Sequence, residues 1–211
     1  MLLRSISLAV LATFSIGAQA TLTTYDPWDA QYTANGLNGV LFNVEKGNTS
    51  TGASVTVALG AHAYKNGAYL PNNGVDTFYA ETGTYPGEPN RANWSFDFAW
   101  DLGTCDTCTV TLQADKDPTA GVNLVNLFSS SIGQTPSIYL ESWNMEMPFI
   151  NGLMGYDFNP FANSSTAFRL VVSDGQSEVV SSNITVNVPE PATLALLGLG
   201  LIGLAGMRRK T

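Results

Sequence analysis

The chain has two cysteines, and they stand three positions apart, as Cys105-Asp106-Thr107-Cys108. That spacing serves two chemistries. At a helix N-terminus it lowers a thiol pKa and makes a dithiol redox pair. In a tight turn, whose first and fourth Cα atoms lie under about 7 Å apart, it closes a structural disulfide. Alternating apolar segments flank it on both sides, so a turn between strands is expected and Cys105–Cys108 is read as a structural bridge. Such a short loop returns about 2 kcal/mol of chain entropy, and its main effect is to pin the register of a hairpin. A Ser-His-Asp or Cys-His relay would have to run through His62, the chain's one histidine. No Gly-x-Ser-x-Gly setting accompanies it, so a strand histidine with a satisfied hydrogen bond is the preferred reading. Asp97, Asp101, Asp106, Asp115 and Asp117 crowd one hairpin and its ends. Asp115-Lys116-Asp117 suggests a loop calcium site, which needs several oxygen ligands. No EF-hand or nonapeptide calcium pattern is present, and solvated strand-edge carboxylates are the preferred reading. No other cofactor is implied. Glu141, Glu146 and Asp157 supply carboxylates for glycoside hydrolysis, but that chemistry rests on a separation of about 5 Å or 6.5–9.5 Å, which spacing in sequence does not define. Tyr64, Tyr69, Tyr79, Tyr85 and Trp143 offer a sugar-stacking platform, against the alternative that strand aromatics fill a core.

These residues must be positioned by strands. Trp94, Phe96, Phe98 and Trp100 alternate with Ser95, Asp97, Ala99 and Asp101, the pattern of a half-buried strand with an aromatic face. Val110-x-Leu112-x-Ala114, Phe168-x-Leu170-x-Val172 and Ile184-x-Val186-x-Val188 repeat the period of two. Weaker strands are expected at Val40–Val44, Ser54–Tyr64, Thr77–Glu81, Val122–Phe128 and Ser137–Trp143. Turn clusters separate them, among them Asn35-Gly36, Asn66-Gly67, Pro71-Asn72-Asn73-Gly74, Pro86-Gly87-Glu88-Pro89-Asn90 and Asp174-Gly175. No stretch of ten residues in the middle carries a helical stripe. Eight to ten short strands predict an all-β domain over residues 21–188, an antiparallel β-sandwich of jelly-roll or immunoglobulin-like kind, with a barrel as the alternative.

The two ends read differently. Residues 1–20 have a basic start at Arg4, an apolar stretch from Ile6 to Ile16, and Ala18-Gln19-Ala20 before Thr21. This is the pattern of a secretory signal peptide cut between Ala20 and Thr21, which implies delivery through the Sec export machinery. At the other end, Pro189-Glu190-Pro191 precedes an uncharged apolar run from Ala192 to Met207, then Arg208, Arg209 and Lys210. At about 1.5 Å per residue the run makes a helix of roughly 24 Å, short for a hydrocarbon core of about 30 Å but long enough to anchor with snorkelling or thinning. The basic cap would stay cytoplasmic. Gly198, Gly200 and Gly203 match G-x-G-x-x-G without the strand and acidic partner of a dinucleotide site, and are read as part of a membrane segment.

The 211 residues carry a formal charge of −8. Between Thr21 and Val188 there remain five basic residues against sixteen acidic ones, a balance of −11. This excludes a nucleic-acid binder, which needs clustered Lys and Arg. One histidine excludes a His-rich metal site, and two cysteines exclude a zinc cluster built from cysteine alone.

The order Pro189-Glu190-Pro191, short apolar segment, Arg208-Arg209-Lys210 resembles the PEP-CTERM sorting signal, over about the last 23 residues. The resemblance implies an exosortase-type membrane protease that recognises the Pro-Glu-Pro motif and removes residues 189–211 nearby. It also implies a transient inner-membrane intermediate, then release to the cell envelope or outside. Ile138-Tyr139-Leu140-Glu141-Ser142-Trp143-Asn144, Asp157-Phe158-Asn159-Pro160 and Ile184-Thr185-Val186-Asn187-Val188 are similar to a body type seen before such tails. The expected function is that of a non-enzymatic cell-surface or matrix protein associated with exopolysaccharide or biofilm. The alternatives are a carbohydrate-binding module for that polysaccharide and, third, its hydrolase.

Overall fold

The computed structural model describes residues 21–24, 40–65, 69–117, 121–130, 136–175 and 177–189. Ala20, Glu190, Pro191, Arg208, Arg209 and Lys210 lie outside them, as do the signal peptide, the apolar run and the turns Asn35-Gly36 and Asn66-Gly67. Among the described residues no helix is long and apolar enough to cross a membrane.

The described residues form eleven strands: β1 (Phe42–Asn48), β2 (Ser54–Ala63), β3 (Thr77–Tyr79), β4 (Thr84–Tyr85), β5 (Glu88–Ala92), β6 (Trp94–Asp101), β7 (Cys108–Asp115), β8 (Leu124–Ser129), β9 (Ile138–Asn144), β10 (Ser164–Asp174) and β11 (Ser177–Val188). Among the described residues one short helix, α1 (Pro148–Met154), follows β9. The nine expected strands all form. The surplus is the small hairpin β4–β5, which occupies a segment whose Pro-Gly-Pro content reads as pure turn. Glu88, Pro89 and Asn90 lie in β5, and only Pro86-Gly87 makes the turn.

One sheet has the order β1-β2-β6-β9 and a second the order β3-β11-β10-β7-β8. All pairs are antiparallel but one: β3 runs parallel to β11, Thr77 opposite Thr185 and Tyr79 opposite Asn187. The sheets pack face to face through the alternating positions. Val57, Leu59, Phe96, Phe98 and Trp100 of the first meet Leu112, Phe168, Leu170 and Ile184 of the second in one core. Phe96 stacks on Phe168 with ring centroids 4.3 Å apart, and Trp94 meets Phe158 edge-on at 6.0 Å. Each such ring contributes about 1.5–3 kcal/mol by burial and about 0.5–1.5 more by its ring partner.

The β1 edge closes on β11 through backbone proximity. A Cβ on Gly47 would stand 2.7 Å from the Val179 carbonyl oxygen, so only glycine fits there. Beside it Asn43 Nδ2 donates to the Asn183 carbonyl at 2.8 Å, and Ser182 Oγ to the Asn43 carbonyl at 2.7 Å.

The alternation in β6 predicts a strand wet on one side, and here the structure differs. Ser95, Asp97 and Ala99 are as buried as the aromatics between them. The outward face of the first sheet carries its own apolar patch of Val40, Phe42, Ala58 and Ala99, with Val44 and Leu140 at its margin.

The sandwich has two unlike ends. At one, short connections join β1 to β2, β6 to β7 and β10 to β11, and Asp174 ties them, accepting from Ser50 Oγ at 3.1 Å and Thr107 Oγ1 at 2.9 Å. At the other end β11 finishes at Val188, and the connections from β2 to β3, β7 to β8 and β9 to β10 lie there. α1 helps close that end. Pro148 sits in its first turn, Gly155 ends it in the left-handed region at φ 75°, and Ile150 and Met154 point into the core.

Candidate functional site

The longer connections enclose a groove of about 600 Å³ at the end where the chain leaves the sandwich. Tyr69, Tyr79 and Tyr85 line it with Glu81, Asn93 and Pro189. Each arrives by a different route. Tyr79 closes β3 next to Asn187 of β11. Tyr69 bridges back to His62 near the end of β2. Tyr85 closes β4, and Pro189 is the first residue after β11. Asn72 and Asn73 build the loop between Tyr69 and β3. Asn73 Oδ1 accepts the backbone N–H groups of Val75, Asp76 and Thr77 at 2.9–3.0 Å. This is the Asx chemistry expected of Pro71-Asn72-Asn73-Gly74.

Tyr69 is 59% and Tyr79 44% exposed, so two ring faces are open to a ligand. Tyr85 is held edge-on by Tyr64, 5.4 Å between centroids. Tyr64 donates to Glu88 at 3.1 Å, and Lys65 also pairs with Glu88. The Lys65 ammonium lies 5.5 Å from the Tyr64 ring centre and 6.0 Å from that of Tyr85. The hydrogen bond between them holds Lys65 above and Glu88 below their ordinary pKa values. The site therefore joins flat apolar faces, a carboxylate and an amide at one mouth, the kind of lining that recognises a ligand with both an apolar face and hydroxyl groups.

Trp143 does not join the tyrosines. It is partly buried, packed against the core between Phe98 at 4.8 Å and Phe149 at 5.0 Å.

His62 has its hydrogen bond. Its Nδ1 lies 2.7 Å from Asp97 Oδ2, across β2 and β6 on the outward face of the first sheet, and both side chains are buried. Burial pulls the imidazolium down, but the charge and hydrogen bond of Asp97 more than offset that and leave His62 above its ordinary value. Ser95 stands directly opposite His62, yet its Oγ is engaged by Asn144 Nδ2 at 3.4 Å. The three residues lie outside both described grooves.

The five aspartates do not form one site. Asp101 and Asp106 stand at the short-turn end, Asp115 and Asp117 at the opposite end, and Asp97 faces His62. Asp115 Oδ1 accepts the backbone N–H groups of Asp117 and Asn123 at 2.9 and 2.7 Å and so shapes the connection to β8. Among the described residues no three His, Cys, Asp or Glu side chains meet closely enough to hold a metal ion. Glu141, Glu146 and Asp157 line neither described groove. Burial holds Glu146 above the usual carboxylate range, with Arg91 opposing.

Cys105 and Cys108 are placed as a bridge, Cα atoms 5.6 Å apart, with strands on both sides. They line a second cavity of about 370 Å³ with Leu102, Asp106 and Ser137. Asn144 carries no chemistry in sequence, yet it is fully buried and locks the start of β6. Its Nδ2 donates to the carbonyls of Ala92 and Trp94 at 3.0 and 2.8 Å, and its Oδ1 accepts from Ala92 and Glu146 N–H groups at 3.0 and 3.1 Å.

A β-rich body that hands its last strand directly to Pro189-Glu190-Pro191 is a passenger domain followed by a processing tail. Residues 187–210 match the family model of the PEP-CTERM protein-sorting motif. The chain thus carries the signal by which an exosortase-type membrane protein sorts and processes proteins exported to the cell envelope or outside. Of the matched residues, Asn187 and Val188 end β11 and Pro189 is exposed at the groove mouth. No curated protein matches the chain.

Proposed function

We propose that the chain is a non-enzymatic surface or matrix protein, its body a sandwich of jelly-roll or immunoglobulin-like kind. In this reading residues 1–20 direct export through the Sec machinery and residues 192–207 anchor it transiently in the inner membrane. Exosortase cleavage near Pro189-Glu190-Pro191 then delivers residues 21–188 to the envelope or an exopolysaccharide matrix. The observation that carries the reading is the tripartite tail, joined without a spacer to the end of β11, where Val188 is buried and Pro189 is exposed. Intact mass spectrometry of the protein from envelope and medium tests it. The expected species starts at Thr21 and ends near Pro189. A protein that keeps its tail in cells with and without exosortase overturns the sorting step.

A second reading is favoured by the tyrosine groove: the body binds a matrix polysaccharide. Tyr69 and Tyr79 would stack on sugar rings while Glu81 and Asn93 accept and donate to hydroxyl groups. Affinity electrophoresis in a gel of the native exopolysaccharide, with and without calcium, tests it. Unretarded migration in both gels rejects the reading.

A further inference from the structure

Large apolar side chains exposed on a soluble domain are usually scattered. Here they gather. Tyr69, Tyr79, Val122, Phe149, Leu153 and Phe161 are 44–67% exposed and all belong to the groove end of the sandwich. Tyr69 and Tyr79 are in the groove itself. Val122 precedes β8, whose first residue Leu124 pairs with Asp115, the last of β7. Phe149 and Leu153 are on α1 after the end of β9. Phe161 follows Pro160, whose carbonyl accepts the Gly83 N–H at 2.6 Å beside the β4–β5 hairpin. The described exposed residue of this kind at the opposite end is Ile138, paired with Asp101.

The tail leaves from the crowded end. Three residues, Pro189 to Pro191, separate Val188 from the apolar run that begins at Ala192. Fully extended, the step from Val188 to Ala192 spans at most about 14 Å, and the two prolines stiffen it. A headgroup layer is about 5–8 Å thick, and a helix of roughly 24 Å is already short for a core of about 30 Å. An embedded run therefore draws the groove end down against the lipid. Tyr and Phe rings are the side chains that settle at headgroup depth. Charge does not favour an acidic surface, because the body carries five basic against sixteen acidic residues.

We propose that, while the tail holds the chain in the membrane, the groove end of the sandwich docks on a zwitterionic lipid surface through Phe161, Leu153, Phe149 and Tyr69. This rests on the reading of residues 192–207 as a membrane anchor. Tail removal then frees the end face and opens the tyrosine groove to solvent in one step, so that a ligand is met only after release.

The test uses the full chain in phosphatidylcholine nanodiscs. A photoreactive phenylalanine analogue replaces Phe161, Leu153, Ile138 or Leu196, one at a time, and lipid adducts are read by mass on the digested protein. Phe161, Leu153 and Ile138 are exposed, so the fold tolerates the probe. The expected result is phospholipid adducts at positions 161 and 153 at least tenfold above position 138, with strong adducts at 196. Adducts at 196 but equal, low yields at 161, 153 and 138 overturn the docking and leave the anchor intact. No adduct at 196 overturns the anchor, and the docking with it.

Discussion

Exchanging Asp97 for asparagine should reverse the dependence of stability on pH. His62 and Asp97 are 3% and 0% exposed and joined at 2.7 Å. Burial by itself favours neutral imidazole, and Asp97 turns the balance toward the protonated form. The folded pKa of His62 thus lies above its unfolded value of about 6.5. Its contribution to stability is complete below that value and is lost as pH rises through the folded pKa. One titrating group changes stability by no more than about 1.4 kcal/mol per pH unit. The chain has a single histidine, so no other side chain of ordinary pKa titrates between about pH 5.5 and 8. An amino terminus that titrates there is common to both proteins and cancels in the difference. In Asp97→Asn the charge is gone and burial dominates. The folded pKa of His62 then falls below the unfolded one, and stability rises with pH toward about 6.5 and is flat above it.

Removing one partner of a buried pair costs about 3–5 kcal/mol, and the amide keeps a hydrogen bond worth about 1 kcal/mol. The expected loss is about 2–4 kcal/mol at pH 6, shrinking toward pH 8. Urea unfolding followed by tryptophan fluorescence at half-unit steps from pH 5.5 to 8.5 measures both curves, with His62→Gln as the control that should be flat. Parallel curves for wild type and Asp97→Asn would refute the coupling of His62 to Asp97.

Three further outcomes can be measured. Asn144→Leu keeps the volume but strands the buried N–H and C=O groups of Ala92 and the carbonyl of Trp94; at about 1–3 kcal/mol for each unpaired group the loss in urea should be at least 3 kcal/mol, and a loss under 1 kcal/mol would contradict the anchoring role. The protein recovered from the envelope should be lighter than its reduced form by two hydrogens and inert to thiol reagents, and Cys105→Ser with Cys108→Ser should cost about 2 kcal/mol; rapid labelling of both thiols in the native protein argues against the bridge. Tyr69→Ala and Tyr79→Ala should each weaken retention on the native polysaccharide about fivefold, for about 1 kcal/mol of lost stacking, while the melting temperature stays within about 2 °C because both rings are exposed; unchanged retention of the double variant counts against the groove.

The strands were legible because a period of two with aromatic partners has few other solutions. Trp94, Phe96, Phe98 and Trp100 lie on one face, as their spacing requires, and Val110, Leu112 and Ala114 meet Val172, Leu170 and Phe168 in register. The residues between them were less legible. Asp97 reads as a wet strand carboxylate, and it is buried because the first sheet is covered on both faces. Alternation reports which side chains share a face, not what lies over that face. Trp143 and Asn144 are a similar pair. The tryptophan offers a surface platform in sequence and is instead half-buried against the core, while the asparagine looks inert and satisfies five groups. Hydrogen-bonding capacity becomes a signal only when the partners are known, and Ala92 and Trp94 are 52 and 50 positions away.

The groove was half legible for a related reason. Its tyrosines were visible, but no local rule puts Tyr69, Tyr79, Tyr85 and Pro189 at one mouth. That follows from β3 adding to β11 in parallel, a pairing of residues more than 100 positions apart. The same pairing divides the molecule into two ends. Where β1–β2, β6–β7 and β10–β11 reverse, Asp174 accepts from Ser50 and from Thr107 of the Cys105–Cys108 turn, so these polar groups serve the turns themselves. At the opposite end backbone must be organised by side chains such as Asn73, Asp115 and Asn144, and rings are left over at the surface. Surplus aromatic surface on organised loops is the form a binding site takes. In the proposed reading the groove lies where the sorting tail begins, so removing the tail would change what the groove can meet. Under that proposal processing and recognition would be coupled by position alone, with no conformational change required of the sandwich.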